Sequence, residues 1–223
     1  MHLRDLTRFL AELADNNNRA WFVMNKPRYD ILRGEFLEVV TGLIPKIAQF
    51  DPAIASCNPR KALFRIHRNL RFAREKHPYK THFSAALTVT GMKKPSHGGG
   101  PAYYFHIDAA GMLLIAGGEY QPLADRVKQI RQRIVADPAG FGAVLNDRKM
   151  KSLFGDLQQE DKLVRPPKGF NTDVPHADYL KLKSFIVWKE ELVTGMDPDR
   201  LLRELLAGFK AAQPLIRWLT NNE

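Results

Sequence analysis

Apolar residues recur at helical spacing near the start of the chain, with Leu6, Phe9, Leu10 and Leu13 falling on one side of residues 4–15. Asp15, Asn16, Asn17 and Asn18 end that pattern and supply caps for the next segment, RAWFVMN, in which Trp21 and Phe22 read as core anchors. Pro27 suits the first turn of a longer helix whose apolar stripe is Ile31, Leu32, Val39, Val40, Leu43 and Ile47, with Pro45 near its end and Asp51-Pro52 beyond it. Residues 1–50 are therefore expected to be helical.

The period then changes from 3.6 to two. Phe83, Ala85, Leu87 and Val89 alternate with small or polar residues, PSHGGGP interrupts, and AYYFHID with MLLIAGG predicts a hairpin across Ala109-Ala110-Gly111. Residues 60–118 thus form a sheet-rich core. From Pro122 a helical pattern returns, with Val127, Ile130, Ile134 and Val135 inward and Arg126, Lys128, Arg131 and Arg133 expected as solvated surface. Residues 146–175 are polar and punctuated by Gly and Pro, which predicts a long ordered loop with a short strand. FIVWKEEL reads as a closing strand, and DPDRLLRELLAGFKAAQPLIRWL as two helices separated near Pro214.

The whole of residues 1–223 is expected to form a single domain of the α+β class: a mainly antiparallel sheet of about five strands, flanked on one face by N- and C-terminal helices. The other face is left for a site.

Composition narrows the function classes. An apolar content of 44% and a charged content of 26% are those of an ordinary globular protein. No run approaches the roughly 18 uncharged apolar residues of a membrane span, and Asp5 and Glu12 interrupt the first apolar segment, so a cytoplasmic protein with no membrane partner is expected. Cys57 stands alone, which excludes an internal disulfide and a thiolate zinc cluster. No Walker loop, GxSxG or HExxH occurs, and no cofactor is expected. His106 and Asp108 share a strand face, with Tyr104 beside them and His67 or His82 within reach of a neighbouring strand. That spacing is generic, so a His-to-Asp hydrogen bond is expected there and no metal site.

Charge changes the picture most. Lys and Arg number 34 against 24 acids, a net +10, and the surplus is concentrated. Between Asn58 and Phe83 lie Arg60, Lys61, Arg65, Arg68, Arg71, Arg74, Lys76 and Lys80, with three histidines, against Glu75 alone. If residues 63–72 run extended, Phe64, Ile66, Leu70 and Phe72 take one face, and Arg65, His67, Asn69 and Arg71 the other. Guanidiniums gathered in this way suit a phosphate or carboxylate, or else pair with acids such as Glu35, Glu38, Asp108 or Glu119. HPYKTHF follows, and its Pro78 turn returns Tyr79, Lys80 and His82 beside the Arg face. In RPPKGF, Arg165 and Lys168 bracket a stiff turn in which Gly169 lets the backbone approach an anion. Arg19 and Lys26 near the Asn run make a weaker third cluster, where free amides at a helix start favour an anion.

The segments FRIHRNLRFAREKHPYKTHF, AYYFHI, GGEYQP, RPPKGF with VPHADYLKLKSF, and FLAELADNNNRAWFVMNKPRYD make the chain resemble, over almost its whole length, the bacterial family called domain of unknown function 2461. The resemblance implies a single-domain cytoplasmic protein and no known activity. Its pattern covers Arg65, Arg68, Arg71, Phe72, Lys76, Pro78, Tyr79, Lys80, Arg165, Lys168, Gly169 and Lys183. It implies Tyr and Asp where this chain has His67 and Asn69. An Asn cannot act as a general base, so this chain either binds without turnover or uses His67 in that role.

Three readings follow. In the first, a basic pocket takes a phosphorylated or carboxylated small molecule, with Arg65, Arg68, Arg71, Lys80, Arg165, Lys168 and Gly169 holding the anion, and His67 with Tyr79 as the acid and base of an enzyme. In the second, the same charge with Phe72, Tyr103, Tyr104 and Trp188 as stacking surfaces makes a nucleic-acid-binding module. In the third, the Arg network is structural and the chain is a non-catalytic interaction protein.

Overall fold

The computed structural model describes residues 1–69, 77–88 and 100–220. Helix α1 (Leu3–Asp15) turns Leu3, Leu6, Phe9, Leu10 and Leu13 inward at the predicted spacing. Asn18 accepts a hydrogen bond from the Trp21 amide and so caps α2 (Arg19–Met24). In α3 (Lys26–Ala48) the buried stripe is Leu32, Phe36, Val40, Leu43, Ile44 and Ile47, while Ile31 is exposed. Steps of four and three from Leu32 reach Phe36, Val40 and Leu43. Ile31, one residue earlier, points about 100° away.

After a 3-10 turn (Pro52–Ser56) and the single turn α4 (Pro59–Ala62), the sheet begins. Its strands are β1 (His82–Leu87), β2 (Ala102–Asp108), β3 (Met112–Glu119) and β4 (Phe185–Leu192), antiparallel throughout and in the order β1-β2-β3-β4. This is an α+β fold, with four strands among the described residues where about five were expected. The shortfall lies at residues 63–69. They run beside β1 and the segment before it, with Leu63 bridged to Ala85 and His67 to Tyr79. Four steps along one segment thus meet six along the other. That slip leaves isolated bridges and the bonds Phe64 N to Ser84 O (3.0 Å), Lys80 N to Ile66 O (2.8 Å) and Arg68 N to Pro78 O (2.9 Å) in place of a regular ladder.

Three helices follow β3: α5 (Ala124–Ala136), α6 (Pro138–Leu145) and α7 (Arg148–Phe154). The last falls where a loop was expected. Asp147 caps it through the Lys149 and Met150 amides, and Met150 anchors it in the core. The closing segment is one helix, α8 (Pro198–Thr220), which runs through Pro214. Pro214 forfeits one bond to the Lys210 carbonyl, but Ala211, Ala212, Leu215, Ile216, Trp218 and Leu219 around it are buried, and that packing outweighs the loss. No described helix is long and apolar enough to cross a membrane.

Both cores lie on one face of the sheet. The first joins α1, α3 and the start of α8 to Phe83, Ala85, Leu87, Tyr103, Phe105, Ile107, Leu113 and Ile115. The second joins α5, α6, α7 and the end of α8 to Phe185 and Val187. Contact between α8 and β3 is close: a Cβ on Gly117 would stand 2.4 Å from the Ala212 Cβ, and one on Gly208 would stand 2.6 Å from Ile115 Cγ2.

Of the basic side of α5, Lys128 is exposed as expected, but the three arginines are not solvated surface. Arg126 pairs with the buried Glu119 and donates to the Leu219 carbonyl, and Arg133 donates to the Trp218 carbonyl with its guanidinium 4.5 Å from the centre of the Trp218 ring. These two arginines satisfy the last carbonyls of α8. Arg131 is buried and donates to the Leu182 carbonyl.

Candidate functional site

Period two sends alternate residues of every strand to the second face, away from both cores. Strand register arranges them in rows. Ser84, His106, Leu114 and Glu190 form one row, and Ala86, Tyr104, Ala116 and Trp188 the next. Ala102, Gly118 and Ile186 form a third. Except at Ser84, His106 and Glu190 these are apolar or aromatic, although a solvated sheet face would be polar. The members of these rows on β2, β3 and β4, Glu190 excepted, line a cavity of about 420 Å³, rimmed by Phe64 on one side and by Tyr120 and Gln121 on another.

Backbone geometry shapes the rim. Gly118 has φ 128°, and a Cβ there would meet the Phe185 carbonyl oxygen at 2.2 Å, so only glycine fits. Gln121 is left-handed at φ 46° without being glycine, and its amide is held by Ser184 Oγ at 2.9 Å. Such strain concentrates at sites that bind or react.

Tyr104 and His106 are the titratable side chains that line the cavity floor. Tyr104 Oη and His106 Nδ1 are hydrogen-bonded at 3.2 Å. Burial raises the Tyr104 phenol above its usual range, with the Ser84 hydroxyl acting the other way. Burial lowers His106, opposed by Asp108 and Glu190. His82, whose ring centre is 5.2 Å from that of His106, is lowered to about 4, first by burial and then by His106, Lys80 and Arg68, with Asp108 opposing. Positive charge enters at this edge, where Lys80 Nζ lies 5.0 Å from the centre of the Phe64 ring.

The His106-to-Asp108 hydrogen bond expected from the sequence does not form. Asp108 Oδ1 accepts instead from the Ala110 and Met112 amides, at 2.9 and 2.8 Å, and so closes the β2–β3 turn. Among the described residues no three His, Cys, Asp or Glu side chains converge to hold a metal ion.

The candidate residues separate into two places. Arg68 and Lys80 are half-buried with their charge felt at His82, and Lys80 reaches the rim residue Phe64. Arg65 is exposed and makes no ion pair among the described residues. His67 is exposed, with its ring against Phe22 and Tyr79 at 5.8 and 5.1 Å. Tyr79 is buried and stacked on Phe22 at 4.1 Å, its amide and carbonyl both held by the Asn17 side chain at 3.0 Å. Arg71, Phe72 and Lys76 lie outside the described residues.

Arg165, Lys168 and Gly169 are exposed on a segment tied to the other edge of the sheet, through Gln158 N to Ile186 O and Leu163 N to Lys181 O. Three strand spacings, about 14 Å, separate the two edges. Arg165 lines a cleft of its own, of about 480 Å³, with His176, Tyr179 and Lys181. Of the other cluster, Asn17 and Asn18 are used up in holding Tyr79 and capping α2.

Spacing arguments named Tyr104, His106 and Trp188 but not as one pocket, and missed Leu114, Ala116, Gly118, Tyr120, Gln121 and Ile186. The signal was there: MLLIAGG is apolar at both phases of the period, so both faces of β3 avoid bulk water.

Comparison with family models matches residues 5–218 to the one described as conserved hypothetical protein (DUF2461). No curated protein and no solved structure matches the chain.

Proposed function

The chain belongs to the DUF2461 family of conserved hypothetical proteins, a membership that carries no activity, and we propose from the site itself that it binds a small molecule with an apolar, ring-containing body and an anionic group, carboxyl or phosphoryl. The body lies over Leu114, Ala116, Ile186 and Trp188, and the anion faces the edge occupied by Lys80 and Arg68. The observation that carries this reading is the union of an apolar cavity of about 420 Å³ with cationic charge at the edge beside Phe64. Small-molecule sites have this size and make-up, with few polar groups fixing orientation. Arg65, exposed on the segment beside β1, is assigned to the approach of the anion. Arg165, Lys168 and Gly169 are assigned to a separate surface, because the width of the sheet intervenes.

The test is a thermal-shift titration with sulfate, phosphate, sugar phosphates, aliphatic and aromatic carboxylates, aryl phosphates and short oligonucleotides, at low and high salt. Saturable stabilisation by one small-anion class, kept in high salt and lost in both Lys80→Ala and Trp188→Ala, is the expected result. Stabilisation by oligonucleotides alone, lost as salt rises, transfers the charge to a nucleic-acid role. A flat response leaves the arginines a structural part only.

A further inference from the structure

Resting on the reading of the second-face pocket as a binding site, we infer that Tyr104 is a positioning residue that fixes neutral His106 as an Nε2–H donor to a ligand oxygen, and that the ligand is an aromatic monocarboxylate.

The geometry gives the hydrogen-bond chain a direction. A phenol has one hydrogen and lone pairs to accept with. Among the described residues, His106 Nδ1 is the acceptor in hydrogen-bond contact with Tyr104 Oη, and a buried phenol hydrogen needs an acceptor. The phenol's own hydrogen then goes to His106 Nδ1, 3.2 Å away. A neutral imidazole that accepts at Nδ1 carries its hydrogen on Nε2. His106 lines the pocket, and Nε2 has no hydrogen-bond partner among the described residues, because Asp108 is engaged by the Ala110 and Met112 amides. One directed N–H therefore faces the cavity from its floor.

That donor set selects among anions. A phosphate monoester near neutral pH carries close to two charges on three oxygens and calls for several donors. A carboxylate carries one charge on two oxygens, which one imidazole N–H and the cationic edge at Lys80 satisfy. The rings of Phe64, Tyr104 and Trp188 around the cavity suit a planar body that also fits about 420 Å³. Burial lowers His106 against the opposing charges of Asp108 and Glu190, neither of which is bonded to its ring among the described residues, so the imidazole donates without becoming charged.

Nitrogen-15 spectra of the histidine rings in the full chain, free and titrated with benzoate or phenyl phosphate, test the assignment. His106 is expected as the Nε2–H tautomer. Tyr104→Phe is expected to abolish that preference without unfolding the protein and to weaken benzoate about tenfold. Benzoate is expected to move the Nε2–H resonance and to bind more tightly than phenyl phosphate, and Trp188→Ala to weaken both. An Nδ1–H or charged His106, or a tautomer indifferent to Tyr104→Phe, overturns the inference whatever binds. Tighter binding of phenyl phosphate overturns the carboxylate assignment and leaves the pocket standing. The stated tautomer with neither anion binding overturns both the ligand-facing role and the pocket.

Discussion

Glu119, at the end of β3 and almost fully buried, is held at 3.1 Å by Arg126 of α5, which also reaches the Leu219 carbonyl near the end of α8. One guanidinium therefore joins the end of β3 to two helices. Glu119→Ala strands the Arg126 charge and leaves a cavity, with an expected loss of about 3 kcal/mol in denaturant unfolding. Arg126→Lys is expected to lose much of the same, since an ammonium cannot serve the carboxylate and the carbonyl in a planar fork. A loss below about 0.5 kcal/mol in both would place this pair among weak surface bridges.

His82 predicts a pH dependence. Burial, with His106, Lys80 and Arg68 nearby, lowers it to about 4 from an ordinary 6.5, so the folded state binds fewer protons than the unfolded state between those values. Its contribution to stability is full above the unfolded value and is lost as pH falls through that window. At ~1.4 kcal/mol per unit, the order of 3 kcal/mol is at stake by pH 4. His82→Gln is expected to flatten that part of the stability-against-pH curve. An unchanged slope would assign the acid sensitivity to other groups.

Gly208 lies inside α8, where replacing glycine by alanine ordinarily stabilises by about 1 kcal/mol. Here the added methyl would meet Ile115 Cγ2 at 2.6 Å, and that of Gly117→Ala would meet Ala212 at 2.4 Å. Both substitutions are expected to destabilise, by about 1–3 kcal/mol, because α8 has to lift from β3. A gain in Gly208→Ala would show that the helix shifts freely.

The elements with one dominant period were legible in the sequence. Leu6, Phe9, Leu10 and Leu13 set α1, and AYYFHID with MLLIAGG set the hairpin, because each pattern fits one structure only. Pro214 misled, since a local rule gave way to packing on both sides of it. Arg126, Arg131 and Arg133 misled for a related reason: charge reads as surface until the end of another helix supplies carbonyls to cap. The cationic edge was legible as a cluster in sequence. The pocket it borders was not, because its residues come from β2, β3 and β4 and meet only through register.

Asn17 links that edge to the helical hairpin. Its amide nitrogen donates to the Tyr79 carbonyl and its oxygen accepts from the Tyr79 amide, each at 3.0 Å, so one side chain replaces a missing strand neighbour just before Lys80. Asn17→Asp keeps the acceptor and loses the donor, and sets a carboxylate against a carbonyl; Asn17→Ala loses both bonds. Each is expected to cost about 1–3 kcal/mol, the penalty for leaving half-buried backbone groups unpaired. The consequence reaches the site: Tyr79 stacks on Phe22, and the Lys80 amide is bonded to the Ile66 carbonyl, so loosening Tyr79 frees Lys80 from its place over Phe64. Asn17→Ala is therefore expected to weaken benzoate binding as well as stability, while Glu119→Ala, at the end of β3 and on the core side, lowers stability more than binding. Equal effects of the two on benzoate would show that binding follows global stability and not the position of Lys80.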